Sequence, residues 1–373
     1  MPKDHARDAD SDREHPSEES FREAHIERGP GRAIRAVRPR PDAESLRAAY
    51  LELLKLSLCD LVGASTLSVT RSGEGRATAG RMFSRALGPE ELTLRAKGVD
   101  WPWSGLTMVG LARLDDLQAC VESAVADGVA GDLIEAGAWR GGASILMRAT
   151  LDSLGADERT VWVADSFQGL PPPDAERFPK DRELDLSGFD LLAVPMDEVQ
   201  GYFARFGCEH GVRYVEGFFA ETLPALRDHR WAVVRLDGDT YESTWVALES
   251  LYPGLSVGGY VIVDDYQLIE ECQQAVDDFR QRYEIAEPLE EIDWNAVRWR
   301  RETEAPLPRP DPGKALPGIT AGSDSAEGGS RRRRARIPTE QELELERQLA
   351  VLRSGRWPMR WVRRVRGMFR GDR

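Results

Sequence analysis

The chain has 373 residues, 41% of them hydrophobic, with a formal net charge of −14. It is long enough for one large domain with extensions, low in hydrophobic content for a chain folded throughout, and too acidic for a general nucleic-acid binder, whose phosphate contacts need a basic surface. No stretch approaches the roughly 18 apolar residues of a membrane span. Four dispersed cysteines, Cys59, Cys120, Cys208 and Cys272, have neither zinc nor redox spacing and read as isolated thiols of a reducing cytoplasm.

Residues 1–42 are charged, poor in aliphatics and without the apolar core of a secretory signal, so they read as a disordered segment. In "PDAESLRAAYLELLKLSLCDLVG", Leu46, Tyr50, Leu53, Leu54 and Leu58 recur at helical spacing after a Pro-Asp start and predict a helix. Residues 43–301 are expected to form the folded body. Residues 302–337, rich in Pro, Gly and Ser, read as a linker. Residues 338–373 begin with Thr339 and Glu342 in capping-box spacing, continue with Leu345, Leu349 and Leu352 on one helical side, and end in "RWPMRWVRRVRGMFRGDR", a basic amphipathic stretch.

The body has a rhythm. "DLIEAG", "TVWVADS", "WAVVRLDGD" and "GGYVIVDD" are short apolar runs, each ending in an acid, and helical patterns such as "GGASILMRATLDSL" and "STWVALESLYPGL" separate them. Strands alternating with helices predict an α/β fold with a doubly wound parallel sheet. Ligands of such sheets bind beyond the carboxyl ends of the strands, which places all the terminal acids on one rim.

The first run leads into "EAGAWRGGAS". Gly137, Gly141 and Gly142 make a tight turn into a helix, but the spacing is not the G-x-G-x-x-G of a dinucleotide site. Glu135 ahead of the turn would repel a pyrophosphate. It suits a cationic ligand such as S-adenosylmethionine, and Asp165 at the tip of the second run is placed to accept ribose hydroxyls.

Asp237 and Asp264–Asp265 end the third and fourth runs. If those strands are neighbours, the three carboxylates converge, and hard oxygen donors without nearby His or Cys suit Mg²⁺, with Mn²⁺ second. His210 and His229, the two histidines of the body, read as loop residues outside any motif. Asp239 is the candidate general base beside such a metal, although "DTYE" also spaces it as the N-cap of the next helix. "GVDWPWSG", with Trp101 and Trp103, reads as a water-excluding lid that stacks on a sugar.

These segments, together with "TMVGLARLDDLQ", "VEGFFAETLP", "AVDDFR" and "EEIDWNAVRWRR", resemble the macrocin O-methyltransferase family over roughly residues 47–301. The resemblance implies a class I, Rossmann-like methyltransferase with a seven-stranded, mostly parallel sheet whose last two strands, near 283–301, form an antiparallel hairpin. It implies S-adenosylmethionine and Mg²⁺ as cofactors and a sugar hydroxyl of a glycosylated natural product as acceptor. It also implies Asp237, Asp264 and Asp265 as metal ligands, Asp239 as base, and Glu135, Gly137, Asp165 and Ser166 as cofactor contacts. By the same resemblance, Thr107 and Met108 close over the cofactor and Gly217 and Phe218 lie beside its adenine. The C-terminal tail is similar instead to the endings of bacterial cell-surface glycan enzymes, which leaves a surface glycan as a second acceptor class.

Two other readings stay open at this stage. "DGD" matches the D-x-D metal motif of a nucleotide-sugar glycosyltransferase, and the body could be a methyltransferase-like scaffold acting through its tail. The expected partner is a glycosylated small molecule or glycan, with no nucleic acid. The basic tail suits a peripheral contact on the cytoplasmic face of a membrane or with a partner enzyme, and a homo-oligomer is compatible with the sequence.

Overall fold

The computed structural model describes residues 42–70 and 81–304, with the backbone alone described for 66–70 and 81–84. The expectations for residues 1–41 and 305–373 lie outside the described residues.

Helix α1 (Ala43–Leu58) leads to a two-stranded antiparallel sheet of β1 (Ser65–Thr70) and β2 (Arg81–Ala86), then to α2 (Pro89–Ala96) and α3 (Gly110–Ala126). From there strands and helices alternate: β3 (Asp132–Ala136), α4 (Gly142–Leu154), β4 (Val161–Asp165), α5 (Met196–Arg205), β5 (Val212–Glu216), α6 (Phe219–Thr222), β6 (Trp231–Leu236), α7 (Tyr241–Leu251), β7 (Leu255–Val263), α8 (Glu270–Arg282), β8 (Glu290–Glu291) and β9 (Val297–Arg300). Seven strands form one sheet in the order β5-β4-β3-β6-β7-β9-β8. The first five run parallel, and β9 and β8 are antiparallel additions at one edge. The doubly wound sheet and its terminal hairpin are as expected.

The strands carry apolar side chains on both faces because helices cover both. Successive residues alternate between two cores. Leu133, Val161, Val163, Val233 and Ile262 pack with α1, α3, α4 and α5. Ile134, Ala164, Val234, Leu236, Val261 and Val263 pack with α7 and α8 around Trp245 and Phe279. The order reverses between β3 and β6: the chain winds outward through β4 and β5, then crosses back to β6 and β7. The loops that follow β3 and β6 lead to helices on opposite faces of the sheet, and the crevice at that point is where such folds bind ligands.

Helix α1 is where expected, but its face is not the one the leucine spacing marks. Leu51, Leu54, Lys55 and Leu58 are buried, while Leu46, Tyr50 and Leu53 are about half exposed. Lys55 is held by Glu52 at 3.0 Å and by Asp115 in the second turn of α3. Its methylene stem can lie against the core while its ammonium stays paired, and the helix is rotated accordingly.

Candidate active site

A cavity of about 370 Å³ lies over the carboxyl ends of the strands. Thr107 and Met108 reach it from the approach to α3, Glu135 and Gly137 from the end of β3, and Asp165 and Ser166 from the end of β4. Phe218 enters after β5, Asp237 and Asp239 after β6, and Asp264 and Asp265 after β7. Gly217 is not part of the lining; its amide donates to the Asp165 carbonyl at 3.0 Å. Of the two tryptophans of the expected lid, Trp101 is on the wall and packs edge-on against Phe189 at 6.0 Å. Trp103 is not, and its carbonyl accepts from Arg140 at 2.9 Å.

Gly137 makes the meeting of β3 and β6 sterically possible. Its φ is +92°, and a Cβ there would sit 1.8 Å from the Asp237 carbonyl oxygen. Asp165 is drawn into the same turn. One of its oxygens accepts from the amides of Ala138 (2.8 Å) and Trp139 (3.1 Å), the other from Phe167 (2.8 Å). The acid at the tip of the second strand therefore braces the glycine turn. Burial raises its pKa and these donors oppose the rise.

Glu135 is 2% exposed, and both its oxygens are taken, one by the Ser144 hydroxyl and one by Arg235. Glu135 and Arg235 are register partners on β3 and β6. From Arg235 a chain of alternating charge crosses the site. The same guanidinium donates to Asp237 at 2.9 Å and to Asp264. The other oxygen of Asp264 accepts from Arg113 on α3, and Arg113 in turn donates to Asp293 at 3.0 Å. The two cations are internal counter-ions for the acid set, and without them so much buried negative charge would not be sustained.

Even so compensated, the acids are costly. Burial pushes the Glu135 carboxyl up to about 7, against the pull of Arg235. Burial and then the Asp264 charge raise Asp237. Asp239 is pushed up to about 7, by burial first and by Asp237 and Asp264 next. Burial and then Asp239 and Asp237 raise Asp265 well above the usual range. Burial alone would lower Arg235, but its carboxylate neighbours raise it.

Asp239 is not the helix cap that "DTYE" allowed. Thr240 caps α7, its hydroxyl accepting from the Ser243 amide at 3.1 Å. Asp239 instead sits in left-handed backbone, φ +63°, at a cost of roughly 1–2 kcal/mol for a residue with a Cβ. That conformation turns the chain so that Asp239 faces the same cavity as Asp237.

Carboxylate oxygens of Asp237, Asp264 and Asp265 all lie within 4.8 Å of one another. Asp265 Oδ2 is buried with no hydrogen-bond partner. Three converging carboxylates, one of them with a buried oxygen that no hydrogen-bond donor reaches, are hard donors that fit a small divalent cation. His210 and His229 lie in loops, bonded to Asp152 (3.1 Å) and Asp132 (2.8 Å), and neither lines the cavity. The four cysteines are free and buried.

Sequence reasoning missed Arg113, Arg235 and Asn295. A lone arginine inside the apolar run "WAVVRL" was a usable signal, since a buried cation needs anionic neighbours. Nothing in "LARLDD" or "DWNA" marked the other two.

An open sheet in this strand order, with a glycine turn after its first strand and an acid-lined cavity at the switch point, defines a Rossmann-like methyltransferase. Residues 49–301 match the Macrocin-O-methyltransferase (TylF) family, and the chain belongs to that family. It is 47% identical over 259 residues to the 8-demethyl-8-(2,3-dimethoxy-alpha-L-rhamnosyl)-tetracenomycin-C 4'-O-methyltransferase of Streptomyces olivaceus, covering 69% of this chain and 94% of that one. It is 40% identical to the mycinamicin III 3''-O-methyltransferase of Micromonospora griseorubida, covering 68% and 96%. The solved structure of the O-methyltransferase NovP superposes with a TM-score of 0.60 at 40% identity, over 69% of this chain and all of that one. The chain is an S-adenosylmethionine-dependent O-methyltransferase, which sets aside the glycosyltransferase reading of "DGD". Among the described residues, no helix is long and apolar enough to cross a membrane.

Proposed function

We propose that this chain methylates a sugar hydroxyl of a glycosylated natural product, with Asp237, Asp264 and Asp265 holding Mg²⁺ and Asp239 acting as general base. The observation that carries the metal is the unpartnered oxygen of Asp265 beside Asp237 and Asp264. The sugar acceptor draws support from the tetracenomycin relative, whose name specifies a rhamnosyl compound; the other two are named for a novobiocin and a mycinamicin compound.

Bound there, the ion would supply Lewis acidity, lowering the pKa of an acceptor hydroxyl. Arg235 and Arg113 hold the carboxylates in place for it. Asp239 takes the hydroxyl proton while the oxygen forms its bond to the donor methyl and the carbon–sulfur bond breaks, leaving S-adenosylhomocysteine. Glu135, Gly137, Asp165 and Ser166 bind the donor on one side, Thr107, Met108 and Phe218 close around it, and Trp101 shields the acceptor from water. The gain comes mainly from positioning and fixed charge. The basic tail, 353–373, docks the enzyme on an anionic membrane surface or a partner there; flotation with anionic liposomes, full chain against a chain ending at 337, tests that contact.

The test of the chemistry uses methyl-labelled S-adenosylmethionine and a demethylated glycoside with adjacent sugar hydroxyls. Label should appear on the sugar, vanish with EDTA and return with Mg²⁺. Undiminished transfer in chelator would refute the metal reading, and labelling of the aglycone alone would refute the acceptor.

A further inference from the structure

The turn between β8 and β9 lies beside the carboxyl end of β7 and reaches the cavity, and three consecutive residues in it each make a different contact there. Asn295 is 2% exposed. Its side-chain nitrogen donates to Asp265 Oδ1 at 3.2 Å, and its side-chain oxygen accepts from the Leu268 amide at 3.0 Å. Its main-chain carbonyl accepts from the Gln267 amide at 2.9 Å. All of these partners belong to the loop that carries Asp265. A buried primary amide is costly unless its groups are paired, and here the pairing fixes one oxygen of Asp265. The other oxygen is the one left buried without a partner, and Asp265 lines the cavity.

Asp293 acts on the neighbouring acid. One of its oxygens accepts from Arg113 Nε at 3.0 Å, and Arg113 holds Asp264 with another nitrogen. Its other oxygen accepts from the amides of Asn295 and Ala296, both at 2.9 Å. The acid that orients Arg113 therefore also shapes the turn that presents Asn295. Trp294, between them, donates to the Lys97 carbonyl at 2.8 Å and lies 5.5 Å from the Arg113 guanidinium, tying the turn to the segment ahead of α3.

The geometry points to Asn295 as a positioning residue for divalent-metal binding. It holds Asp265 so that its free oxygen faces the ion, while Asp293 does the same for Asp264 through Arg113. This inference rests on the metal reading given above. Partners that orient metal ligands commonly contribute 10–100-fold to metal affinity.

The experiment measures Mn²⁺ binding to the full chain by the electron paramagnetic resonance of the free ion, without turnover, for the parent, Asn295→Ala and Asn295→Leu. Both substitutions lose the donor to Asp265 and the acceptor for Leu268 without adding charge, and Asn295→Leu keeps more of the side-chain volume. S-adenosylhomocysteine binding by calorimetry checks the rest of the site. The expected result is Mn²⁺ affinity weaker by about 10–100-fold in both variants, with S-adenosylhomocysteine affinity within about twofold of the parent. Unchanged Mn²⁺ affinity in folded variants would overturn the inference while leaving the metal reading standing. A parent that binds no Mn²⁺ would overturn the metal reading itself and this inference with it. If neither Asn295 variant folds, Asp293→Asn decides in the same assay: weaker Mn²⁺ binding supports the positioning role, and parental binding refutes it.

Discussion

Arg235→Met is the perturbation that tests the charge balance most directly. Arg235 is 2% exposed and donates to Glu135, Asp237 and Asp264. Without it Asp264 keeps Arg113, and Asp237, 28% exposed, keeps water. Glu135 keeps only Ser144, so the loss falls mainly there. Removing one partner of a buried ion pair costs about 3–5 kcal/mol. For a domain of this size each kcal/mol shifts Tm by about 2–4 °C, so the expected fall is about 6–20 °C. The pH dependence has a definite sign. The folded-state pKa of Glu135 is already raised to about 7, so the stability linked to its protonation is full below the unfolded carboxyl pKa and is lost as pH rises through about 7. Losing the guanidinium raises that pKa further. The two proteins should therefore differ little near about pH 5.5, where Glu135 is neutral in both, and most near about pH 8. Metal-free thermal melts at the two pH values measure this. A fall of less than about 2 °C at the higher pH, or an equal fall at both, would refute the reasoning.

Asp239→Asn should lower kcat by ~10²–10⁴, the range for a lost general base. It should leave the melting temperature near the parent's, because Thr240 supplies the cap and Asn tolerates left-handed backbone. Steady-state kinetics with a parallel melt check it, and retained turnover would move the base elsewhere. In the parent, kcat/KM at limiting metal should fall as pH drops below about 7, the value to which Asp239 is raised. Saturating Mg²⁺ should move that limb to lower pH, since a nearby cation favours the carboxylate; a metal-independent limb would argue against their proximity. Gly137→Ala places a Cβ 1.8 Å from the Asp237 carbonyl at φ +92°. It should cost more than about 4 kcal/mol by denaturant melt and weaken S-adenosylhomocysteine binding by calorimetry; a near-parental melt would show that the strands can part there.

What was legible in the sequence follows from how local each signal is. The four central strands could be read because a strand buried on both faces is a continuous apolar run, and each run here stops at an acid. Those acids were placed on one rim by the parallel order alone, and the structure brings Asp237, Asp239, Asp264 and Asp265 to one cavity. Their counter-ions were not legible. Arg235 reaches Glu135 because β3 and β6 pair in that register, and Arg113 reaches Asp264 from a helix 151 residues away in sequence. The face of α1 failed for the same reason: Lys55 is buried by acids on two helices, one of them not its own. The β1–β2 hairpin went unread because it adds no strand to the main sheet and so breaks no part of the strand–helix rhythm. Gly137 makes the distinction plain. As a turn residue it was evident from "EAGAWRGG", yet the requirement for glycine comes from the Asp237 carbonyl pressed against it, just past the end of β6, a strand that begins only at Trp231, far along the chain from the end of β3 at Ala136. A residue's type can be read where it stands in the chain, but the charge or atom that makes that type necessary comes from the neighbouring strand, and only the sheet order supplies it.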